Sequence, residues 1–260
     1  GYQSVWIVIL GLLLIAPVYA SFVRDWGAGV IATAWTGQWY SSISPAFWTS
    51  LQLSAVISVA CIAVSLAGAL PLALAWRFGH MPGKNLLKNL VLVPVAIPGF
   101  LWGLGILVVA QATVPALAST PVPLIAGEAL LSVPFMLRVL MSGLEDLDVR
   151  FLEVAAGLGA SRAPRMWRVL LPLLAPAMSV GCVLVFVRSF GESNLALMLA
   201  PIRYPTAPLW LLQAAESSGI GAASAMDVVL VGVPLVLLAA GEAVVRRSTP
   251  WTAMRSALPA

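Results

Sequence analysis

Charge is what this chain has least of. Lys and Arg number 14 and Asp and Glu 10 in 260 residues, 9% in all, where an ordinary soluble domain carries about 25%. With 61% of the residues hydrophobic, such a domain is excluded, and the length is room for several membrane spans of about 20 residues each. Histidine is nearly missing too: His80 stands alone, beside two cysteines, Cys61 and Cys182, each inside an apolar run. No zinc spacing, Cys-His pair or Ser-His-Asp set can be built from these. No catalytic residue and no metal ligand is therefore expected, and the cysteines read as small core residues. The net charge of +4 does not point to nucleic acid, because the basic residues sit in short loops between apolar runs.

The hydropathy pattern gives six spans, about 5–23, 48–76, 90–114, 122–143, 175–199 and 223–245, in a single transmembrane domain over 1–260. The fold class expected is all-α and polytopic, with a loop at 144–174 between the fourth and fifth spans. Val18-Tyr19-Ala20 before Ser21 mimics a signal cleavage site, but no cationic region precedes it, and the first span reads as an uncleaved helix. Trp26, Trp35, Trp39 and Tyr40 suit a membrane interface. Ser54, Ala55, Ser58, Ala60, Ser65, Ala67 and Gly68 let the second span approach its neighbours closely. Pro94 and Pro98-Gly99 break the third span. Arg77, Lys84, Lys88, Arg150, Arg162, Arg165, Arg168, Arg246, Arg247 and Arg255 fall on one side of the six spans, and only Arg24 and Arg203 in the opposite loops. The positive-inside rule then places both termini and the 144–174 loop in the cytoplasm.

Gly79-His80-Met81-Pro82-Gly83-Lys84 imitates a phosphate loop, but it is one residue short between the glycines, Asn85 stands where Ser or Thr is needed, and no strand precedes it. It reads as a turn, so ATP has no site on this chain. The charges that do exist gather in Glu145–Pro172, EDLDVRFLEVAAGLGASRAPRMWRVLLP. Asp148 can cap a short helix that Gly157 and Gly159 can end, and Ser161 can cap a second with Pro164 in its first turn. Two short helices joined by a glycine bend would make a compact knob at the membrane surface.

Within this run stand Glu153, Val154, Ala155, three residues, Gly159, nine residues, then Val169, Leu170, Leu171 and Pro172. The pattern resembles the cytoplasmic signature of permease subunits of binding-protein-dependent (type I) ABC importers: Glu-Ala-Ala, three residues, Gly, nine residues, Ile-x-Leu-Pro. Every spacing is kept, and Val154 and Val169 are the departures. The run PGKNLLKNLVLVPVAIPGFLWGLGILV and the run FVRSFGESNLALMLAP are similar to the polyamine, ferric-iron, thiamine and phosphonate group of these permeases. The resemblance implies a bacterial inner-membrane protein whose six-helix core runs from about Trp48 to Val245. It assigns Glu153, Ala155, Gly159, Leu171 and Pro172 to a coupling helix that docks on an ATPase. It also implies two ATPase subunits that hold ATP and Mg, a second permease, identical or related, and an extracytoplasmic solute-binding protein that delivers a small solute. The chain itself would bind no cofactor, would not be an enzyme, and would have membrane lipid and no nucleic acid among its partners. An independent secondary transporter or channel is the alternative; it calls for inverted repeats or an ion site, and neither is evident.

Ionisable residues inside spans are costly and mark function by default. Arg188 and Glu192 lie one helical turn apart and can pair. Counting about 1.5 Å per residue, Glu192 and Glu128 reach similar depths in the outer part of the bilayer. Two readings stay open for all three: a polar lining near an outer gate, or an internally satisfied cluster that packs helices.

Overall fold

The structure, a computed structural model, describes residues 2–27, 31–79, 83, 86, 90–200, 205–217 and 219–248. The turn at His80, Lys84 and Lys88, the loop residues Arg203 and Tyr204, the side chains of Glu242, Arg246 and Arg247, and Arg255 lie outside these. Nine helices of more than one turn are used below: α1 (Tyr2–Ala20), α2 (Pro45–Phe78), α3 (Gly99–Thr113), α4 (Val122–Glu145), α5 (Arg150–Gly157), α6 (Arg162–Phe190), α7 (Asn194–Leu199), α8 (Ala207–Ser217) and α9 (Ile220–Ser248). Among the described residues, α2, α4, α6 and α9 are long and apolar enough to cross a membrane, and α1 and α3 are shorter apolar helices. The chain is an all-α polytopic membrane protein, as the hydropathy pattern led us to expect.

Sequence accounts for the boundaries. Ser44 opens α2 by accepting a hydrogen bond from the Ala46 amide at 3.3 Å, with Pro45 in the first turn, where its missing N–H costs nothing. The core sits where α2, α4 and α6 meet: Cys61, Ala69 and Ala73 pack with Met136, Leu140, Leu174 and Val185. Small residues make this approach possible. A Cβ on Gly143 of α4 would collide with the Cβ of Ala177 on α6, and one on Gly181 would stand 2.6 Å from the Met136 sulfur. Three serines of α2 are buried and satisfied: Ser58 donates to the Ser54 carbonyl, Ser65 to the Ala129 carbonyl, and Ser54 Oγ accepts from the Ala207 amide. Cys61 is buried in this core and Cys182 packs against its edge, both as free thiols. The outward faces are apolar. Val56, Val108, Val109 and Val236 are all more than half exposed, a surface made for lipid or another protein rather than water.

The structure differs from the sequence reading in five places. The first span stops at Ala20, and Val23–Trp26 pairs antiparallel with Ala32–Trp35 as a hairpin, β1 and β2. The aromatic residues read as interface anchors hold it: Tyr19 meets Trp26 and Trp35 edge to face, and Trp39 Nε1 donates to the Val23 carbonyl. The third span is broken at Pro98-Gly99 as read from the sequence, into a single turn Val93–Ala96 and α3; Trp102 bridges the gap by donating its indole N–H to the Pro94 carbonyl at 3.1 Å. The fifth span does not run from 175 to 199. It begins at Arg162 and ends at Phe190, and Asn194–Leu199 is a separate short helix. The second short helix of the knob is therefore the first turn of α6, and the expected 144–174 loop overlaps the helix that follows it. Gly157 stays inside α5 without positive φ. The loop expected after 200 contains α8, which packs on α9 and α2.

Candidate functional site

The knob is α5 and the start of α6. Asp148 caps α5 as expected: its Oδ1 accepts from the Arg150 amide at 2.9 Å. The other end closes by a pair of backbone bonds. The Gly159 amide donates to the Ala156 carbonyl at 2.9 Å and the Ala160 amide reaches back to the Ala155 carbonyl at 3.0 Å, with Gly159 at φ +84°. That is a Schellman ending, which requires the left-handed conformation glycine adopts without strain. Glycine four residues after Ala155 is thus a geometric requirement: Ala155 supplies the acceptor and Gly159 the turn. Ser161 stands at the start of α6 in extended backbone, but its hydroxyl makes no capping bond; the Arg165 amide donates to its carbonyl at 3.2 Å.

Pro172 has a visible effect as well. Lacking an N–H, it cannot complete the ladder to the residue four before it, and its ring crowds that carbonyl. The preceding residues Met166–Leu170 widen into a π-turn, and the Leu171 amide bonds the Met166 carbonyl five residues back. Leu171 is half-buried and Pro172 exposed at this junction. Leu152 and Met166 anchor the knob on the core near Leu144, Leu170 and Leu174. Glu153 is exposed in the first turn of α5. Around it the surface is apolar: Phe151 is 56% exposed, Val154 63%, Leu158 84% and Trp167 71%. Val154, one of the two departures from the motif, enlarges this patch.

The second cluster lies at the far end of α6. Arg188 Nη1 donates to Ser132 Oγ of α4 at 3.1 Å, its guanidinium lies over the Phe135 ring at 5.6 Å, and Nη2 stands 3.7 Å from Glu192 Oε2. The expected pair exists, but not along one helix. Glu192 lies beyond the end of α6, and its Oε1 accepts from the Asn194 amide at 2.7 Å and the Leu195 amide at 3.2 Å, so it caps α7. Glu128 of α4 is 1% exposed and takes the Ser189 hydroxyl hydrogen. The three ionisable residues are brought to one region, held by Ser132 and Ser189, which the sequence reading did not single out. Ser132 lies four residues after Glu128, and Ser189 adjoins Arg188, so helical spacing held the signal. A recess of ≈ 350 Å³ opens beside them, lined by Pro94 to Gly99 at the broken third span and by Phe135, Arg188, Glu192 and Asn194.

Fold and knob together define a class: a multi-pass membrane permease with a folded elbow between two of its apolar helices. Comparison with known proteins narrows it. The family described as binding-protein-dependent transport system inner membrane component matches residues 67–251, and the chain belongs to that family. PhnV of Salmonella typhimurium, by name a 2-aminoethylphosphonate transport system permease protein, is 28% identical over 246 residues, covering 94% of this chain and 92% of that one. The sulfate transport system permease protein CysT of Synechocystis sp. is 26% identical over 247 residues, 89% of this chain and 84% of the other. The spermidine/putrescine transport system permease protein PotB of Haemophilus influenzae is 29% identical over 215 residues, 75% and 73% of the two chains. Among solved structures, a chain of a bacterial ABC transporter that imports the acidic polysaccharide alginate superposes with a TM-score of 0.67 at 16% identity, covering 95% of this chain and 94% of that one. A chain of the inward-facing MetNI methionine ABC transporter gives 0.62 at 17%, covering 78% and 94%. These two show the fold.

Proposed function

We propose that this chain pairs with a second permease, identical or related, to form the path of an ATP-driven importer. On this reading two ATPase subunits, which hold the ATP and Mg, dock on the α5 knob, and a solute-binding protein delivers solute at the opposite face. Both termini and the knob then lie in the cytoplasm, which the distribution of basic residues supports. Glu153, Ala155, Gly159, Leu171 and Pro172 build the docking element. Arg188 and Glu192, with Glu128 behind them, line the solute path. The solute is small and belongs with those in the names of the relatives, a phosphonate, sulfate or polyamine, or with the ferric iron and thiamine of the wider group.

The observation that supports this reading best is the knob itself. Phe151, Val154 and Leu158 stand more than half exposed on a segment outside the apolar spans, and so does Trp167 near the start of α6. A patch of that kind is the mark of a surface with a protein partner. Topology and docking surface are tested together. In a chain with Cys61 and Cys182 replaced, single cysteines at Arg165 and Arg24 are exposed to an impermeant thiol reagent in spheroplasts. Labelling at Arg24 alone, with co-purification of an ATPase that Leu158→Arg abolishes, is the expected result. Labelling of the Arg165 position from outside overturns the topology, and retention of the ATPase by Leu158→Arg overturns the docking surface.

A further inference from the structure

The recess at the end of α6 is electrically lopsided. Glu192 is already committed: one carboxylate oxygen takes two amide hydrogens at the start of α7, and the other faces Arg188. Arg188 is not. Of its five N–H donors, one is taken by Ser132 at 3.1 Å. The nearest Glu192 oxygen, at 3.7 Å, attracts the charge but is too far for a hydrogen bond. The Phe135 ring lies against a face of the guanidinium and takes none of its in-plane donors. Among the described residues no other acceptor reaches Arg188. The guanidinium side chain is also the more exposed of the two, 23% against 13%. Glu128, 1% exposed and bonded to the Ser189 hydroxyl, does not line the recess.

We infer that this recess receives an oxyanionic group, so that the transported solute carries a carboxylate, phosphate, phosphonate or sulfate; the inference rests on the permease reading above. A planar guanidinium with unused in-plane donors matches such a group two bonds at a time. A cationic group would meet Arg188 at close range, and Glu192 has only the oxygen facing Arg188 to offer it, since the other is held by the α7 amides. Glu192 keeps the anion from binding tightly. A transport path needs that balance, because a contact strong enough to admit a solute must be weak enough to release it.

The test reads the guanidinium directly. The permease with its ATPases, in lipid nanodiscs, is treated with phenylglyoxal, and modification of the Arg188 peptide is followed by mass spectrometry with Arg24, on the exposed hairpin, as internal reference. Sodium sulfate and the chloride of an alkyl diamine are compared at equal ionic strength. Sulfate is expected to slow modification at Arg188 several-fold more than at Arg24, and the diamine to have no such selective effect. Glu192→Gln keeps an oxygen to cap α7 and removes the opposing charge, so the sulfate concentration giving half protection should fall about tenfold. Failure of sulfate to protect Arg188 selectively, equal protection by the diamine, resistance of Arg188 to the reagent, or weaker protection in Glu192→Gln would each overturn the inference. ATPase co-purification is scored beforehand in the same preparations; its loss strikes the permease assembly and not the anion site.

Discussion

Gly159 is the residue on which the knob turns, and the structure lets the effect of replacing it be worked out. A Cβ at this position meets nothing within 4 Å, so substitution brings no collision. What remains is torsional: φ of +84° is a conformation in which an L-residue is strained by about 1–2 kcal/mol. Alanine recovers about 0.4–1 kcal/mol by stiffening the unfolded chain, which leaves a net loss of ~1 kcal/mol. A β-branched residue does worse, since positive φ is a genuine outlier for it. Asparagine tolerates the turn best among non-glycines. The bend is held by two backbone bonds and by Leu152 on the core, so a loss of ~1 kcal/mol lowers the equilibrium constant for the docking shape about fivefold. Coupling should therefore decline in the order Gly, Asn, Ala, Val, with Asp adding a charge beside the exposed Leu158. The assay is solute-stimulated ATP hydrolysis and uptake in proteoliposomes, at matched amounts of assembled protein. Since the strain is confined to the knob, each variant should still reach the membrane. Wild-type coupling in assembled Gly159→Val would refute the reasoning, and so would failure of Gly159→Asn to couple better than Gly159→Ala.

Two further outcomes follow from the packing. Gly103→Leu places a side chain against Met198, whose Cβ would already stand 2.8 Å from a Cβ at position 103; it should pry α3 from α7 and lower the melting temperature in detergent, whereas Gly105→Leu, with open space around it, should leave melting unchanged. Ser189→Ala strips the buried Glu128 carboxyl of its hydroxyl partner and should destabilise the protein by about 1–3 kcal/mol, measured by denaturation in mixed micelles; Glu128→Gln combined with Ser189→Ala should be no worse than Ser189→Ala alone.

The parts of the knob that sequence reveals are those governed by local stereochemistry. Asp148 and Gly159 act within a few residues of themselves, so spacing alone located them. Gly157 misled because a glycine near a helix end is permitted to turn and is not compelled to; only the Ala155 and Ala156 carbonyls decide which glycine closes the helix. The hydropathy of 175–199 is continuous, and nothing in it marks the break after Phe190. That break depends on the Glu192 carboxylate satisfying the amides of α7, an event that hydropathy does not register. The hairpin was hidden for a related reason: Tyr19, Trp26 and Trp35 suit a membrane interface equally well, and only their mutual packing turns them into a clasp. Arg188 and Glu192 were identified as partners from their spacing, yet the geometry between them belongs to a helix end and not to a helix face.

The continuity of α6 has a consequence for how this sequence can change. From Arg162 to Phe190 it is one rod of 29 residues, about 43 Å long, with the knob at one tip and Arg188 near the other. An α-helix advances about 100° per residue, so the azimuth of Arg188 relative to the knob is fixed by residue count. Inserting one residue between Pro176 and Arg188 would carry the guanidinium about 100° around the axis, away from Ser132 and Phe135, while the knob stayed where it was. Inserting seven would return it to within about 20° of its bearing but lengthen the rod by about 10 Å. Substitutions along this rod can be absorbed one at a time, whereas additions and deletions are felt at full strength at its tip. Divergence here is restricted to changes of letter at constant length, and the freedom to grow or shrink lies in the turns between helices.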